Sequence, residues 1–168
     1  MKFLIIVILF FVIGCTPKTR YSNVTEERKE DISVQSFGLS TNQNIRLGSI
    51  LQSYLGRPYA GKSKYEEGID CSEFTMEVFK KYDNIRLPRT SKDQFNYGTK
   101  ISKSSLKYGD LLFFRTDGNR ISHVGIYLEK SKFIHVSSSH GVMISGIRGK
   151  YWNQRYVGAR RVINLNNK

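Results

Sequence analysis

The 168 residues suit one domain with additional length, and 39% hydrophobic and 12% aromatic residues exclude a chain that is disordered throughout. The 27 Lys and Arg residues outnumber the 14 Asp and Glu residues, so the formal net charge of +13 predicts attraction to polyanions but defines no fold. Two cysteines are too few for a disulfide scaffold, and no apolar run has the roughly 18 residues that a bilayer-spanning helix needs.

The first fourteen residues have the pattern of a secretion signal. Lys2 precedes an apolar run over residues 3–13, which is too short to span a membrane stably. The run ends in Val-Ile-Gly followed by Cys15, which resembles a bacterial lipobox, and an ordinary buried helix with an incidental cysteine is the less favoured alternative. We therefore predict a lipoprotein signal peptide over residues 1–14 and lipidation of Cys15.

The next segment, residues 15–43, is rich in Ser, Thr, Asn, Gln and charged residues, with few large apolar side chains. This composition is typical of a flexible linker, so we expect a tether between a lipid anchor in the cell envelope and a folded domain over residues 44–168. Thr16 rather than Asp follows the lipidated cysteine. By resemblance to sorted lipoproteins, this implies the outer membrane, facing the periplasm, in a Gram-negative cell.

The domain begins with residues at helical spacing. A first helix is predicted to stop at Gly56, with one broad face formed by Ile45, Leu47, Ile50, Leu51, Tyr54 and Leu55. A second helix should start at Asp70, which suits the N-cap, and Glu73 would complete a capping box. Its buried stripe is predicted to contain Phe74, Val78, Phe79 and Tyr82. Thr90 or Ser91 would cap a short third helix.

The pattern changes after Lys100. Short segments rich in β-forming residues, separated by Gly, Asp, Asn and Ser, occupy residues 111–114, 124–128, 133–136, 142–144 and 156–159. Helices followed by consecutive short strands predict an α+β domain, with helices packed on an antiparallel sheet of about five to six strands.

One thiol and two imidazoles are the candidate reactive groups. Cys71 is predicted in the first turn of its helix, where partial positive charge lowers a thiol pKa, although its position alone leaves a structural role equally open. His123 and His135 flank the turn at residues 129–132. In an antiparallel hairpin, the numbers of directly opposite residues have a constant sum. His123 and His135 are opposite each other if this sum is 258, any other even sum still places them on one face of the sheet, and a sum of 259 places them on opposite faces. With the thiol they form a nucleophile–base–orienter set. His140, in a Ser-rich loop, is expected to have no catalytic role.

Several motifs follow one another over about residues 45–163, namely Gly68–Ser72, Leu87–Ser91, Gly109–Phe114, His123–Tyr127, Phe133–Ser137 and Tyr156–Val162. In this order they resemble the NlpC family of papain-like cell-wall cysteine peptidases. The resemblance implies the papain-like fold of that family. One residue departs from the family pattern, because Glu73 stands where members usually have Gly, which bears on substrate preference more than on the reaction.

The resemblance also implies roles for individual residues. Cys71 would be the nucleophile, His123 the general base and later the acid, and His135 the group that orients His123. Substrate contacts would come from Tyr59, Asp70 and Ser72. The implied activity is that of a monomeric hydrolase that cleaves peptide bonds of peptidoglycan through an acyl-enzyme and requires neither a metal nor a cofactor.

Other functions remain possible from sequence. A Cys–His–His zinc site would use the same residue types, but no zinc-spacing motif is present. A non-catalytic wall-binding lipoprotein is disfavoured because all three triad positions are filled, and predicted export disfavours a nucleic-acid partner. A papain-like acyltransferase stays open, as does the choice between D-alanyl–diaminopimelate and D-glutamyl–diaminopimelate bonds.

Overall fold

The computed structural model describes residues 41–61 and 68–163, which lie within one compact unit of the chain. The predicted signal peptide and Cys15 fall outside the described residues, as does nearly all of the tether, so these expectations stay predictions. In the part of the chain that is described, no helix is both long enough and apolar enough to cross a membrane.

Three helices come first in the chain: α1 (Thr41–Tyr54), α2 (Cys71–Asp83) and α3 (Ser91–Phe95). Helix α1 packs on α2 and buries Leu47, Leu51 and Tyr54. The predicted face of α1 was too broad, because Ile45 and Leu55 are 62% and 46% exposed. Only one side of α1 meets the rest of the domain, so residues at the margins of its apolar face stay in solvent.

Helix α2 starts as predicted. The Asp70 carboxylate accepts hydrogen bonds from the backbone N–H groups of Ser72 and Glu73, both at 2.9 Å. The capping box is incomplete, because among the described residues the Asp70 N–H donates no reciprocal hydrogen bond to the Glu73 carboxylate. The predicted stripe is buried in full and consists of Phe74, Val78, Phe79 and Tyr82. Cys71 is therefore the first residue of a helix whose N-terminus is capped by Asp70 and whose apolar face is packed in the core.

The sheet has six antiparallel strands in the order β1-β6-β2-β3-β4-β5. In chain order the strands are β1 (Thr99–Ile101), β2 (Leu111–Phe114), β3 (His123–Tyr127), β4 (Lys132–Ser137), β5 (Gly141–Gly146) and β6 (Tyr156–Arg161). A short 3₁₀ turn (Lys103–Ser105) follows β1, and helix α4 (Lys150–Arg155) precedes β6. The α+β class and the antiparallel sheet are confirmed, whereas β1 and α4 were missed because both are short.

Both faces of the central strands are buried. Val124 and Ile126 belong to the cluster that packs against α2, so by strand alternation His123 and Gly125 point to the opposite face. That second face has its own apolar cluster, formed by Leu112, Phe114, Phe133, Ile147 and Ala159 with Trp152 packed against it. The two histidines thus lie on the sheet face that α2 does not cover.

Candidate active site

The Cys71 thiol lies where the N-terminus of α2 meets the beginning of β3. Its Sγ is 3.9 Å from the carbonyl oxygen of Ser122, the residue before that strand. The side chain is partly exposed and is a free thiol. The helix thus brings the Cys71 thiol next to the first residues of β3, where His123 lies. The body of α2 packs on one face of the sheet, and the His123 ring lies on the other.

The two histidines lie on adjacent strands and on one face. His135 pairs with Gly125, so paired residue numbers sum to 260, and a three-residue loop, residues 129–131, joins the strands. The register is even, as a shared site requires, but the direct pairing at 258 does not form, so the residues are diagonal neighbours. His123 Nε2 nevertheless lies 3.1 Å from His135 Nδ1. Nδ1 is therefore the ring nitrogen of His123 that takes no part in this contact.

Gly125 provides the space for this close approach. A Cβ atom on Gly125 would lie 2.8 Å from the Ile134 carbonyl oxygen and 3.0 Å from the His135 Cβ atom. It would also lie 2.7 Å from the ring of Phe133. Two of these three neighbours are backbone or Cβ atoms, which cannot move without shifting β4. We therefore assign to Gly125 the role of keeping β3 and the His135 ring at their observed separation.

Replacing Gly125 by Ala should lower the free energy of unfolding by roughly 1–3 kcal/mol, the usual cost of overpacking a core, and should lower activity by displacing His135. Thermal unfolding and catalytic turnover measure the two effects. The control is Gly146→Ala in β5, where an added Cβ meets nothing within 4 Å. A Gly125→Ala protein as stable and as active as the Gly146→Ala protein would contradict this role.

Aromatic side chains enclose both imidazoles. The Trp152 ring stacks on His123 at 5.3 Å between centroids and meets the His135 ring edge-on at 4.7 Å. Phe133 stacks on the His135 ring at 4.8 Å between centroids. These contacts fix the ring orientations and exclude water, so His123 and His135 are only 9% and 2% exposed. Sequence reasoning gave Trp152 no role in the site.

Burial keeps both imidazoles neutral. It lowers the pKa of His123 from 6.5 to about 3, with a further contribution from His135. Burial also lowers the pKa of His135 to about 4, and the backbone of Val136 works in the opposite direction. At neutral pH both rings are therefore uncharged, so His123 can accept a proton.

The expectation of a low thiol pKa at the helix start was wrong in direction. Burial raises the pKa of Cys71 above its ordinary value, and the negative charge of Asp70 adds to this effect. Backbone N–H groups, that of Val124 first, lower the pKa but do not reverse the shift. At neutral pH the cleft thus holds a neutral thiol and two neutral imidazoles.

The thiol and both imidazoles line one cleft of about 400 Å³. The described residues that complete its lining are Tyr59, Asp70, Thr116, Ser122, Val136, Ser137, Ser138, Ser139, Tyr151 and Trp152. Two of the predicted substrate-contacting residues, Tyr59 and Asp70, thus lie in the cleft, whereas Ser72 is buried beside it. Glu73 is not part of this lining and borders a separate groove with Met76 and Glu77.

Asp70, which lines the cleft, belongs to a cluster of hydrogen-bonded polar and charged side chains. Arg89 donates hydrogen bonds to Asp70 Oδ2 and to the Ser72 hydroxyl, which in turn donates to Asp70 Oδ1. Burial by itself raises the pKa of Asp70, but the hydrogen bonds from Arg89, the Glu73 amide and Ser72 together lower it below its ordinary value. Asp70 therefore presents a carboxylate next to the nucleophile. Sequence reasoning assigned no role to Arg89.

His140 is exposed on the loop between β4 and β5, with its Nδ1 2.8 Å from Ser139 Oγ, and it does not line the cleft. Within residues 41–61 and 68–163, no group of three His, Cys, Asp or Glu side chains is arranged to hold a metal ion. The chemistry available to the cleft is therefore that of a thiol, two neutral imidazoles and one carboxylate.

The NlpC/P60 family profile matches residues 56–161, which include the thiol, both imidazoles and all six strands. This chain belongs to the NlpC/P60 family.

Relatives with established names support this assignment. The probable endopeptidase NlpC of Escherichia coli is 41% identical over 117 residues, which are 69% of this chain and 76% of that protein. The murein DD-endopeptidase MepS/murein LD-carboxypeptidase of Escherichia coli is 43% identical over 98 residues, which are 58% of this chain and 52% of that protein. A solved NlpC/P60 family protein from Bacillus cereus superposes on this chain with a TM-score of 0.63 at 31% identity. The superposition covers 70% of this chain and 39% of that protein. The match to MepS thus spans about half of that relative.

Proposed function

We propose that this protein is a cysteine-type murein endopeptidase that hydrolyses peptide bonds in the stems or crosslinks of peptidoglycan. The observation that supports this most is one cleft holding a thiol at a helix N-terminus and a hydrogen-bonded pair of neutral imidazoles. Homologues that share this domain are named murein endopeptidases. Cys71 is the proposed nucleophile, His123 the base and His135 the orienting group.

The proposed reaction has two halves. His123 Nδ1 takes the thiol proton as Cys71 Sγ attacks the scissile carbonyl carbon, and the Cys71 backbone N–H at the helix start helps stabilise the oxyanion. The protonated His123 then gives this proton to the leaving amine, and the carbon–nitrogen bond breaks to leave a thioester. Water, deprotonated by His123, attacks the thioester, and the carboxylic acid leaves as the thiol is restored.

The charge of the protein suits such a substrate. Stem peptides and the lactyl groups of the glycan bear carboxylates, and the chain has a formal net charge of +13. Beside the thiol, the Asp70 carboxylate is paired with Arg89, so the charged groups there form an ion pair rather than a net negative charge.

The activity should persist well below pH 6.5. Because burial lowers the pKa of His123 to about 3, the imidazole stays unprotonated and able to act as a base in mildly acidic solution. Lowering the pH through that pKa protonates the base and abolishes catalysis. The measurement is kcat/KM against pH, with activity re-measured at neutral pH to exclude irreversible unfolding. An acid limb centred at 6.5 would contradict this description of the site.

Product analysis tests the proposed reaction. The full-length protein, solubilised in detergent, is incubated with defined muropeptides, and products are identified by mass spectrometry. New amino and carboxyl termini are expected at one peptide bond, and their identity distinguishes D-alanyl–diaminopimelate from D-glutamyl–diaminopimelate cleavage. Transfer of the acyl group to an added amine in place of hydrolysis would favour an acyltransferase, and unchanged muropeptides would favour a non-catalytic binding protein.

We further propose that Cys15 is lipidated and anchors the domain to the cell envelope, at the outer membrane facing the periplasm in a Gram-negative cell. The support is the basic, apolar and Gly-Cys pattern of the first fifteen residues. Cys15→Ser should release the protein from the membrane fraction while leaving its hydrolytic activity unchanged. A Cys15→Ser protein that is still cleaved normally and still bound to membranes would contradict lipidation.

A further inference from the structure

A third strand extends the histidine pair. Ser145 Oγ, in β5, lies 2.9 Å from Nε2 of His135. Ser145 pairs with Phe133, two residues before His135 in β4, so its side chain is on the same face of the sheet as both imidazoles. The polar contacts therefore form an unbroken series from His123 through His135 to Ser145.

The acid–base role of His123 determines where the protons in this series must be. A neutral imidazole has one N–H donor and one bare nitrogen acceptor. If Nδ1 of His123 accepts the thiol proton, its other proton is on Nε2 and is donated to His135 Nδ1. His135 must then have its own proton on Nε2, where the neighbouring acceptor is the Ser145 hydroxyl oxygen. The same arrangement serves after His123 becomes an imidazolium, because its Nε2 still donates.

The opposite arrangement would block the reaction. A proton on His135 Nδ1 would be donated to His123 Nε2, and the proton of neutral His123 would then reside on Nδ1, facing the thiol as a donor. The backbone of Val136 also interacts with the His135 ring. His135 therefore has more than one polar neighbour, and a fixed acceptor at Nε2 is needed to favour one tautomer. Ser145 is half-buried, so its own hydroxyl proton can be donated to solvent.

We propose that Ser145 is a positioning residue that holds the proton of His135 on Nε2 and thereby leaves Nδ1 of His123 free to act as the base. This role rests on the function proposed above for the cleft. Ser145 does not itself line the cleft, and its contact with the site is the one to His135.

The first test reads the tautomers directly and needs no substrate. The chain contains three histidines, so ¹⁵N labelling of histidine in the full-length protein gives a simple long-range ¹H–¹⁵N spectrum, assigned with single His→Gln variants. In the wild type, His123 and His135 should both have the proton on Nε2. In Ser145→Val, His135 should show a mixture or a shift toward the Nδ1–H form. A His135 tautomer that is the same in both proteins would overturn the proposal.

The second test uses a matched pair of variants. Ser145→Thr and Ser145→Val have side chains of nearly equal shape, both suited to a strand, and differ in the hydroxyl. Ser145→Val should lower kcat by roughly three- to tenfold at unchanged KM, the range expected for one lost hydrogen bond, while Ser145→Thr should stay within about twofold of wild type. Equal kcat values for Thr and Val would overturn the proposal, since a purely structural role does not distinguish them.

The two tests separate this inference from the proposed function. A wild-type protein that leaves all muropeptides intact but has both protons on Nε2, with the shift in Ser145→Val, would overturn the endopeptidase assignment while supporting the role of Ser145. Normal muropeptide cleavage by the wild type, with the His135 tautomer and kcat unchanged in Ser145→Val, would support the endopeptidase assignment and overturn the role of Ser145. Ser53→Ala, which makes the same chemical type of change in α1, controls for loss of a hydroxyl elsewhere and should leave both the spectrum and kcat unchanged.

Discussion

Muropeptide hydrolysis should fall by at least about 10³-fold when Cys71 is replaced by Ala, because the substitution removes the sulfur that the proposed mechanism uses as the nucleophile. The effect should be on kcat, since the rest of the cleft that contacts the substrate is unchanged. The measurement is turnover of a defined muropeptide, together with mass spectrometry of the protein for an acyl adduct. The wild type should show the adduct under rapid quenching, and the variant should not.

The fold should tolerate this change, so loss of activity can be assigned to chemistry. Cys71 is the first residue of α2, and the N-cap hydrogen bonds of this helix are donated by the Ser72 and Glu73 backbone N–H groups to the Asp70 side chain, so none involves the Cys71 side chain. Circular dichroism and thermal unfolding of Cys71→Ala should therefore match the wild type. Cys71→Ser is the matched control, because its hydroxyl keeps the polarity but is a far weaker nucleophile beside a neutral base. Full activity of either folded variant would exclude Cys71 as the nucleophile.

The second large effect is expected at His123. His123→Ala removes the general base and later acid, so kcat should fall by roughly 10²–10⁴-fold. His135→Ala leaves the base in place and removes its hydrogen-bond partner at 3.1 Å, so the loss of activity should be smaller. Because the two rings act as a unit, the double variant should be little worse than His123→Ala alone. Muropeptide turnover by each purified full-length variant measures these differences.

His140→Ala is the control for this series, since His140 is exposed and lies outside the cleft. It should retain activity close to that of the wild type. Because both cleft histidines pack on Trp152, folding of each variant must be checked by thermal unfolding before rates are compared. If a folded His140→Ala protein lost activity while His135→Ala kept it, the third member of the site would come from the Ser-rich loop rather than from β4.

The part of the site that sequence predicts well is local. Asp70 followed by Cys71 specifies a capped helix start, because the capping bonds join residues two and three positions apart. The shared face of His123 and His135 was a conditional prediction, because it required paired residue numbers in β3 and β4 to have an even sum, and the observed sum of 260 meets that condition. The periodic stripe of α2 was also predicted in full, since helical spacing sets which side chains share a face.

What the sequence alone could not supply depends on residues far apart in the chain. Trp152 contacts His123 from a helix that begins 27 positions later in the chain, at Lys150, and Ser145 reaches His135 from a neighbouring strand. The pKa of Cys71 likewise could not be predicted from the local sequence. Helix position alone indicated a lowered value, but burial at the junction with β3 raises it.

The sequence by itself therefore determined the family's motifs, the α+β class and the capped helix start at the thiol, whereas the shared face of the two imidazoles depended on the hairpin register that the structure supplied. Only the tertiary structure decided how close the rings approach, what covers them and which protonation states they hold. The physical reason is that hydrogen-bond geometry and desolvation depend on the complete set of packed neighbours, and in this site those neighbours come from α2, β3, β4, β5 and α4 together.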